Sequence, residues 1–151
     1  MTAPSHHATC VVVGEAGILL RGASGSGKTR LGAEIIALAR AAGRFAELVG
    51  DDRVHLEAAH GRLVARPVPA IAGLIERRGV GIFRTRHESA AVIRLIVDCI
   101  VSTPERLPDA DDLRATVLGV TLPRLVARTG DGMAATIVGH IGPLGDTLMT
   151  E

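Results

Sequence analysis

The stretch Gly17-Ile18-Leu19-Leu20-Arg21-Gly22-Ala23-Ser24-Gly25-Ser26-Gly27-Lys28-Thr29-Arg30-Leu31 decides the fold. Residues 17 to 21 read as a short β-strand that runs straight into a glycine loop. From Thr29 to about Ala42, the apolar residues Leu31, Ile35, Ile36, Leu38 and Ala39 recur at helical spacing. Gly43 stands where a left-handed turn can end that helix. Strand, glycine loop and helix make up the P-loop arrangement. Gly22 and Gly27 bracket a turn whose backbone N–H groups can surround phosphate oxygens, with Ala23, Ser24, Gly25 and Ser26 between them. Lys28 can reach the β- and γ-phosphates, and the Thr29 hydroxyl can bind Mg²⁺. A G-x-x-x-x-G-K-[ST] pattern arises by chance in a chain of this composition with odds of roughly one in several hundred, and the flanking strand and helix lengthen them. The motif fixes a site for ATP or another nucleoside triphosphate and leaves the phosphoryl acceptor open.

Upstream, residues 8 to 13 read as a strand joined to the first by a hairpin turn at Gly14-Glu15-Ala16. Downstream, Ala46 to Gly50 reads as a buried strand delivering Asp51 and Asp52 at its carboxyl end, where ligands gather in open α/β sheets. Val54 to Leu56 and Arg62 to Ala65 form a hairpin turning at His60-Gly61, and Pro67 and Pro69 forbid helix until about Ile71. Gly73 to Arg78 is expected as a short helical or irregular turn. Ala90 to Val101 is strongly β-branched and reads as a strand; Thr103 to Leu113, with Pro104 and Pro108, reads as a loop able to close over a substrate. Leu122 to Ala127 is a further strand and Met133 to Ile141 a helix. With no repeat and no linker, residues 1–151 are expected to form a single α/β P-loop domain, a mixed sheet with flanking helices.

Composition agrees and narrows the function. Apolar residues make up 47% of the 151, yet aromatics are confined to Phe45 and Phe83, so the core must be built from Ala, Val, Leu and Ile. A formal net charge of +1 and the lack of Trp and Tyr offer neither a basic field nor stacking platforms, which argues against nucleic acid. The apolar run from Cys10 to Leu20 is broken by Gly14, Glu15 and Gly17, so neither a signal peptide nor a membrane span is expected, and the location expected is cytoplasmic. Cys10 and Cys99 lack metal or redox spacing and read as buried thiols. His55, His60, His87 and His140 have no partner at metal-ligand spacing. Sixteen of the seventeen basic residues are arginine, and the lone lysine of the chain is Lys28.

Three further segments, read with the glycine loop, resemble the C-terminal catalytic domain of HPr kinase/phosphorylase. They are His7-Ala8-Thr9-Cys10-Val11, Leu48-Val49-Gly50-Asp51-Asp52-Arg53-Val54 and Leu74-Ile75-Glu76-Arg77-Arg78-Gly79-Val80-Gly81-Ile82. The family's His-Gly is here His7-Ala8, and its Val-Ala-Asp-Asp is Val49-Gly50-Asp51-Asp52. Its Glu-x-Arg-Gly-x-Gly-Ile is matched by Glu76, Arg78, Gly79, Gly81 and Ile82. The resemblance implies a P-loop kinase domain that uses ATP and Mg²⁺ to phosphorylate a serine of an HPr-like phosphocarrier protein, and that can run the reverse reaction with inorganic phosphate. It also implies a short form like those of α-proteobacteria, without the N-terminal regulatory domain. The partner loop of the family is shortened to the region around Ser102 to Pro108, which includes Arg106, and the late Pro-Gly-Arg-Asn pattern survives as Arg128-Thr129-Gly130-Asp131-Gly132.

By the same resemblance, Asp51 is the expected base toward the serine hydroxyl, with His7 assisting and Lys28 at the phosphates. Thr29, Asp52 and Glu76 are the expected Mg²⁺ ligands, directly or through water. Two alternatives stay open on the residues: a small-molecule P-loop kinase, and a non-catalytic nucleotide-binding regulatory module. Symmetric homo-oligomerisation is the default expectation for association.

Overall fold

Two strands carry most of the architecture because each is long enough to serve two sets of neighbours. The computed structural model describes residues 4–101, 109–128 and 130–141. β1 (Ser5–Val13) turns through Gly14 and Glu15 into β2 (Ala16–Arg21), a tight antiparallel hairpin in which Val13 faces Ala16 and Gly14 takes φ 60°. A positive φ at this position suits the twist of a two-residue hairpin, and glycine adopts it without strain. The glycine loop follows, then α1 (Lys28–Ala41) and β3 (Ala46–Gly50), which pairs antiparallel with the second half of β1. The first half of β1, Ser5 to His7, pairs instead with β4 (Arg53–Ala59), and β4 forms a hairpin with β5 (Arg62–Pro67).

β8 (Ala91–Ile100) mirrors this division. Its first residues pair with β5, its middle runs parallel to β2, and its end runs parallel to β10 (Val120–Arg128). The pairings β1–β4–β5–β8–β2–β1 therefore close a ring. β9 (Arg114–Val117) adds an antiparallel edge to β10, and α2 (Met133–His140) follows. β6 (Leu74–Arg77) and β7 (Gly81–Arg84) form a separate two-stranded ribbon.

The shared strands are buried on both faces, which is why they read as continuous apolar runs rather than alternations. Val11, Val13, Ile18, Leu20, Leu95 and Val97 pack with Leu31, Ile35 and Ala39 of α1 and with Ala134 and Ile137 of α2. Their neighbours Cys10, Val12, Leu19, Ile93 and Ile96 point the other way, onto Val54, Leu56, Leu63 and Ala65 of the β4–β5 hairpin. Each fully buried branched aliphatic contributes about 1.5–3 kcal/mol relative to exposure, so a core nearly free of aromatics is sufficient. α1 sits close on β1 and β2 because of Gly32: a methyl group there would lie 3.3 Å from Thr9 Cγ2 and from Val11 Cγ1. The helix ends as its sequence predicts, with the Gly43 N–H donating to Arg40 O (2.9 Å) and the Arg44 N–H to Ala39 O (2.9 Å), a Schellman pair around Gly43 at φ 75°.

Four sequence expectations need adjustment. Gly73 to Arg78 is not helical: it is mostly β6, because Gly79 and Gly81 at positive φ reverse the chain and let Leu74 to Arg77 pair with β7. Pro69 to Ile71 makes one 3₁₀ turn, entered by the proline whose missing N–H costs nothing at a helix start. Ala110 to Leu113, expected as loop, is also a 3₁₀ turn, and β9 was not foreseen at all. Residues 102–108, with Arg106 in the expected substrate loop, lie outside the described residues. Apart from the β6–β7 ribbon and β9, the strands and both helices fall where expected within a few residues, and both thiols, Cys10 and Cys99, are buried and free.

Candidate active site

β2 ends at Arg21, and the chain leaves it through Gly22 at φ 150°, Gly25 at φ 82° and Gly27 at φ 94°. Gly22 is also a steric requirement: a Cβ there would come within 2.6 Å of Cys99 O on the neighbouring β8. Gly27 caps α1 without any side-chain hydrogen bond, and no acidic residue occupies the first turn. The N-terminal N–H groups of this helix and its partial positive charge are thus directed at the loop. The Lys28 ammonium curls into the loop and donates to Gly22 O (2.9 Å) and Ala23 O (3.3 Å). The loop thus gathers a lysine ammonium and a helix N-terminus in a cradle that could take an anion.

Three other elements converge on this cradle. The β1–β3 pairing sets the end of β3 beside the start of β1, so that Asp51 and Asp52 meet Thr9 and His7. Asp51 is buried, and its Oδ1 accepts hydrogen bonds from the hydroxyls of Thr29 (2.6 Å) and Thr9 (3.0 Å) while its Oδ2 accepts the backbone N–H of Glu76 (3.1 Å). Asp52 follows in the left-handed region at φ 66°, a conformation that Asp tolerates better than most residues. This turn is pinned at both ends, by the Asp52 N–H donating to Thr9 Oγ1 (3.1 Å) and by the Ala8 N–H donating to Asp52 O (3.0 Å). The reversal swings the Asp52 side chain away from Asp51 and out to solvent, where its Oδ1 lies 2.7 Å from His7 Nε2. His7 Nε2 is in turn 3.4 Å from Lys28 Nζ.

Of the residues expected to carry function, the fold brings together Lys28, Thr29, His7, Asp51 and Asp52. Glu76 joins through its backbone N–H, and its side chain is exposed in the wall of the same cleft. That cleft, about 1040 Å³, runs from the acidic pair across the glycine loop to Ile100, Val101 and Arg128. Two contributors carried no role in the sequence reading. Thr9, fully buried, holds both aspartates at once, yet a threonine in a strand carries no signal of its own. Arg78 reaches over the loop, with its Nη2 3.7 Å from where a Cβ on Gly25 would sit, and only the ribbon geometry reveals this.

Thr29 and Asp51 are the groups beside the loop that could help to hold a cation such as Mg²⁺. Among the described residues no group of three or more His, Cys, Asp or Glu side chains could hold a metal unaided. A hydroxyl backed by a carboxylate beside a phosphate cradle matches an ion that keeps waters and shares phosphate oxygens.

The chain matches the family described as HPr Serine kinase C-terminal domain over residues 2–137. It belongs to that family. HPr kinase/phosphorylase of Limosilactobacillus reuteri is 31% identical over 147 residues, covering 88% of this chain and 44% of that protein. HPr kinase/phosphorylase of Mycoplasma mycoides subsp. mycoides is 27% identical over 137 residues, covering 82% of this chain and 41% of its own length. The chain therefore spans about two fifths of these relatives. Among solved structures, the Hpr(Ser) kinase/phosphatase from Coxiella burnetii superposes with a TM-score of 0.69 over 90% of this chain and 92% of that one, at 23% identity. The HPr kinase fold is thereby shared, and the resemblance drawn from the three sequence segments holds at the level of the family. Among the described residues no helix is long and apolar enough to cross a membrane.

Proposed function

We propose that this domain is an ATP- and Mg²⁺-dependent protein-serine kinase acting on an HPr-like phosphocarrier protein. The observation that carries the reading is the chain of contacts Asp52–His7–Lys28 at the mouth of an anion cradle. It sets a carboxylate able to take a proton beside the ammonium that would hold the phosphate being transferred. The names of the relatives support the acceptor class, and an acceptor hydroxyl requires an open approach, which Asp52 has at 62% side-chain exposure.

The geometry favours exchanging the roles of the two aspartates relative to the sequence expectation. Asp51 is buried and already accepts from three protein donors, which makes it less open to a substrate hydroxyl than Asp52. Its bond to Thr29 suits it to hold Mg²⁺ through that hydroxyl and water, and the ion would neutralise charge on the β- and γ-phosphates. Asp52 is then the base. As the serine oxygen bonds to the γ-phosphorus and the bond to the β–γ bridging oxygen breaks, Asp52 receives the serine proton and ADP leaves. His7 orients Asp52 by donating its Nε2–H, and Lys28 leaves the Gly22 and Ala23 carbonyls to meet the incoming phosphates. In the reverse direction an oxygen of inorganic phosphate would bond to the phosphoserine phosphorus as the serine O–P bond breaks, the same carboxylate would protonate the serine oxygen, and pyrophosphate would leave.

The test is transfer of label from γ-labelled ATP with Mg²⁺ to the HPr-like proteins of the source organism. Serine-linked label that falls at least roughly a hundredfold in Lys28→Ala and in Asp52→Asn is expected. Nucleotide binding with no transfer to any carrier would defeat the kinase reading in favour of a regulatory module.

A further inference from the structure

Three neighbouring strands, β2, β8 and β10, run parallel and end on the same edge of the sheet. β2 ends in the glycine loop, β8 at Ile100 with Val101 after it, and β10 at Arg128; Arg21 pairs with Asp98, and Arg128 with Ile100. At a strand spacing of about 4.8 Å, the end of β10 lies roughly 10 Å across the sheet from the end of β2. β1 and β3, with His7, Asp51 and Asp52, lie on the opposite side of β2. The glycine loop thus divides the cleft into two arms. One arm holds the carboxylates proposed for transfer, with His7 against Asp52, and the other is walled by Ile100, Val101, Arg128, Gly130 and Asp131.

The second arm has the chemistry of a surface for a flat, partly apolar group. Val101 is 79% exposed, an apolar side chain left open in the cleft wall. Arg128 pairs with Asp131 through two bonds, Nε to Oδ2 and Nη2 to Oδ1, both 3.1 Å, which fixes the plane of its guanidinium. An arginine already compensated by a carboxylate is a weak partner for another anion, but its planar face still stacks on an aromatic ring. Gly130, at φ 97° with open space where a Cβ would stand, leaves room beside the pair. Phosphates bound at the loop with the γ end toward Asp52 direct the rest of a nucleotide this way.

We propose that Val101 and the Arg128–Asp131 pair form the nucleobase subsite, taking a purine against the valine and the guanidinium plane. The proposal rests on the reading of the glycine loop as a nucleotide site. The test compares the affinities of ATP and inorganic tripolyphosphate, each with Mg²⁺, for the full chain and for Arg128→Ala, Val101→Asp and Lys28→Ala. The chain should bind ATP roughly tenfold or more tightly than tripolyphosphate, as one stacking contact allows. Arg128→Ala and Val101→Asp should each close most of that gap while leaving tripolyphosphate affinity within about twofold, whereas Lys28→Ala should weaken both ligands. An unchanged ATP preference in both variants, or an equal loss of both ligands in Arg128→Ala, overturns the subsite and leaves the phosphate site standing. Failure of the unaltered chain to bind either ligand overturns the nucleotide reading and the subsite with it. Val101 is exposed and Arg128 lies at a strand end, and a thermal melt of each variant separates lost binding from lost fold.

Discussion

Thr9 shows how much one uncharged residue can organise. Its hydroxyl donates to Asp51 and accepts from the Asp52 backbone, so it fixes the buried aspartate and the left-handed turn that exposes its neighbour. Valine has nearly the same shape but no hydroxyl. Thr9→Val would leave a buried carboxylate short of one donor and a backbone N–H without its acceptor, which costs about 1–3 kcal/mol for each buried group left unsatisfied. The expected result is a lower urea midpoint and a larger loss of phosphoryl transfer than of nucleotide binding, since the disturbance falls on the acidic arm of the cleft. Equal stability and full transfer in the variant would show that the threonine only fills space. No sequence pattern distinguishes this threonine from any other strand residue, because its importance comes from partners more than forty positions away.

At the scale of elements, Asp98 joins strands that are far apart in the chain. It accepts from Arg21 Nε (2.8 Å) and Nη2 (2.9 Å) on β2 and from Arg124 Nε (2.5 Å) on β10, while Arg124 Nη1 donates to Asp112 O (2.8 Å). Burial by itself would raise the Asp98 carboxyl, but the hydrogen bonds and charges of Arg21 and Arg124 outweigh it and hold the group below its usual range. Because the folded value is depressed, the stabilisation is complete above the unfolded pKa of about 3.9 and fades as pH falls through the folded value. Asp98→Asn should therefore be less stable than the natural chain above about pH 5, and the gap should narrow steadily below pH 4. Urea unfolding of both proteins across that range measures it; a gap independent of pH would assign the cost to packing. Cys99, one residue on, is pushed up to about 11, chiefly by burial, with Lys28 opposing, so the thiol beside the loop is a packing group at neutral pH.

The elements that sequence reading missed share a physical cause. β6, β7 and β9 are four residues each and largely exposed, so burial imposes no strong apolar pattern on them. The long strands β1 and β8 and the helix α1 were legible because the core buries them, and burial writes itself into composition as runs of Val, Ile and Leu.

For the molecule as a whole, the cleft lies on the edge where β2, β3, β8 and β10 end, beside the start of α1. Ligand bound there should stabilise the whole chain by linkage, about 2.7 kcal/mol when free ligand reaches a hundred times its dissociation constant. A thermal melt with saturating Mg²⁺ and ATP is expected to shift upward by several degrees in the natural chain and not in Lys28→Ala. An equal shift in both would place the bound nucleotide away from the glycine loop.

The sequence by itself determined the glycine loop, the helix behind it and the acidic pair after β3. Those features are local: positive-φ turns demand glycine at fixed offsets, the lone lysine stands in the loop, and helical periodicity follows from one buried face. Only the tertiary structure decided how the acidic pair divides its partners, with Asp51 turned in to Thr29 and Asp52 turned out to His7. It also decided that Glu76 arrives by its backbone and that Arg128 lies in the same cleft as Lys28. Those outcomes depend on the register of β1 against β3 and β4 and on the parallel order of β2, β8 and β10, pairings that join residues up to 77 positions apart. Adjacent aspartates are chemically identical in a sequence; a strand pairing and a single left-handed residue make them different.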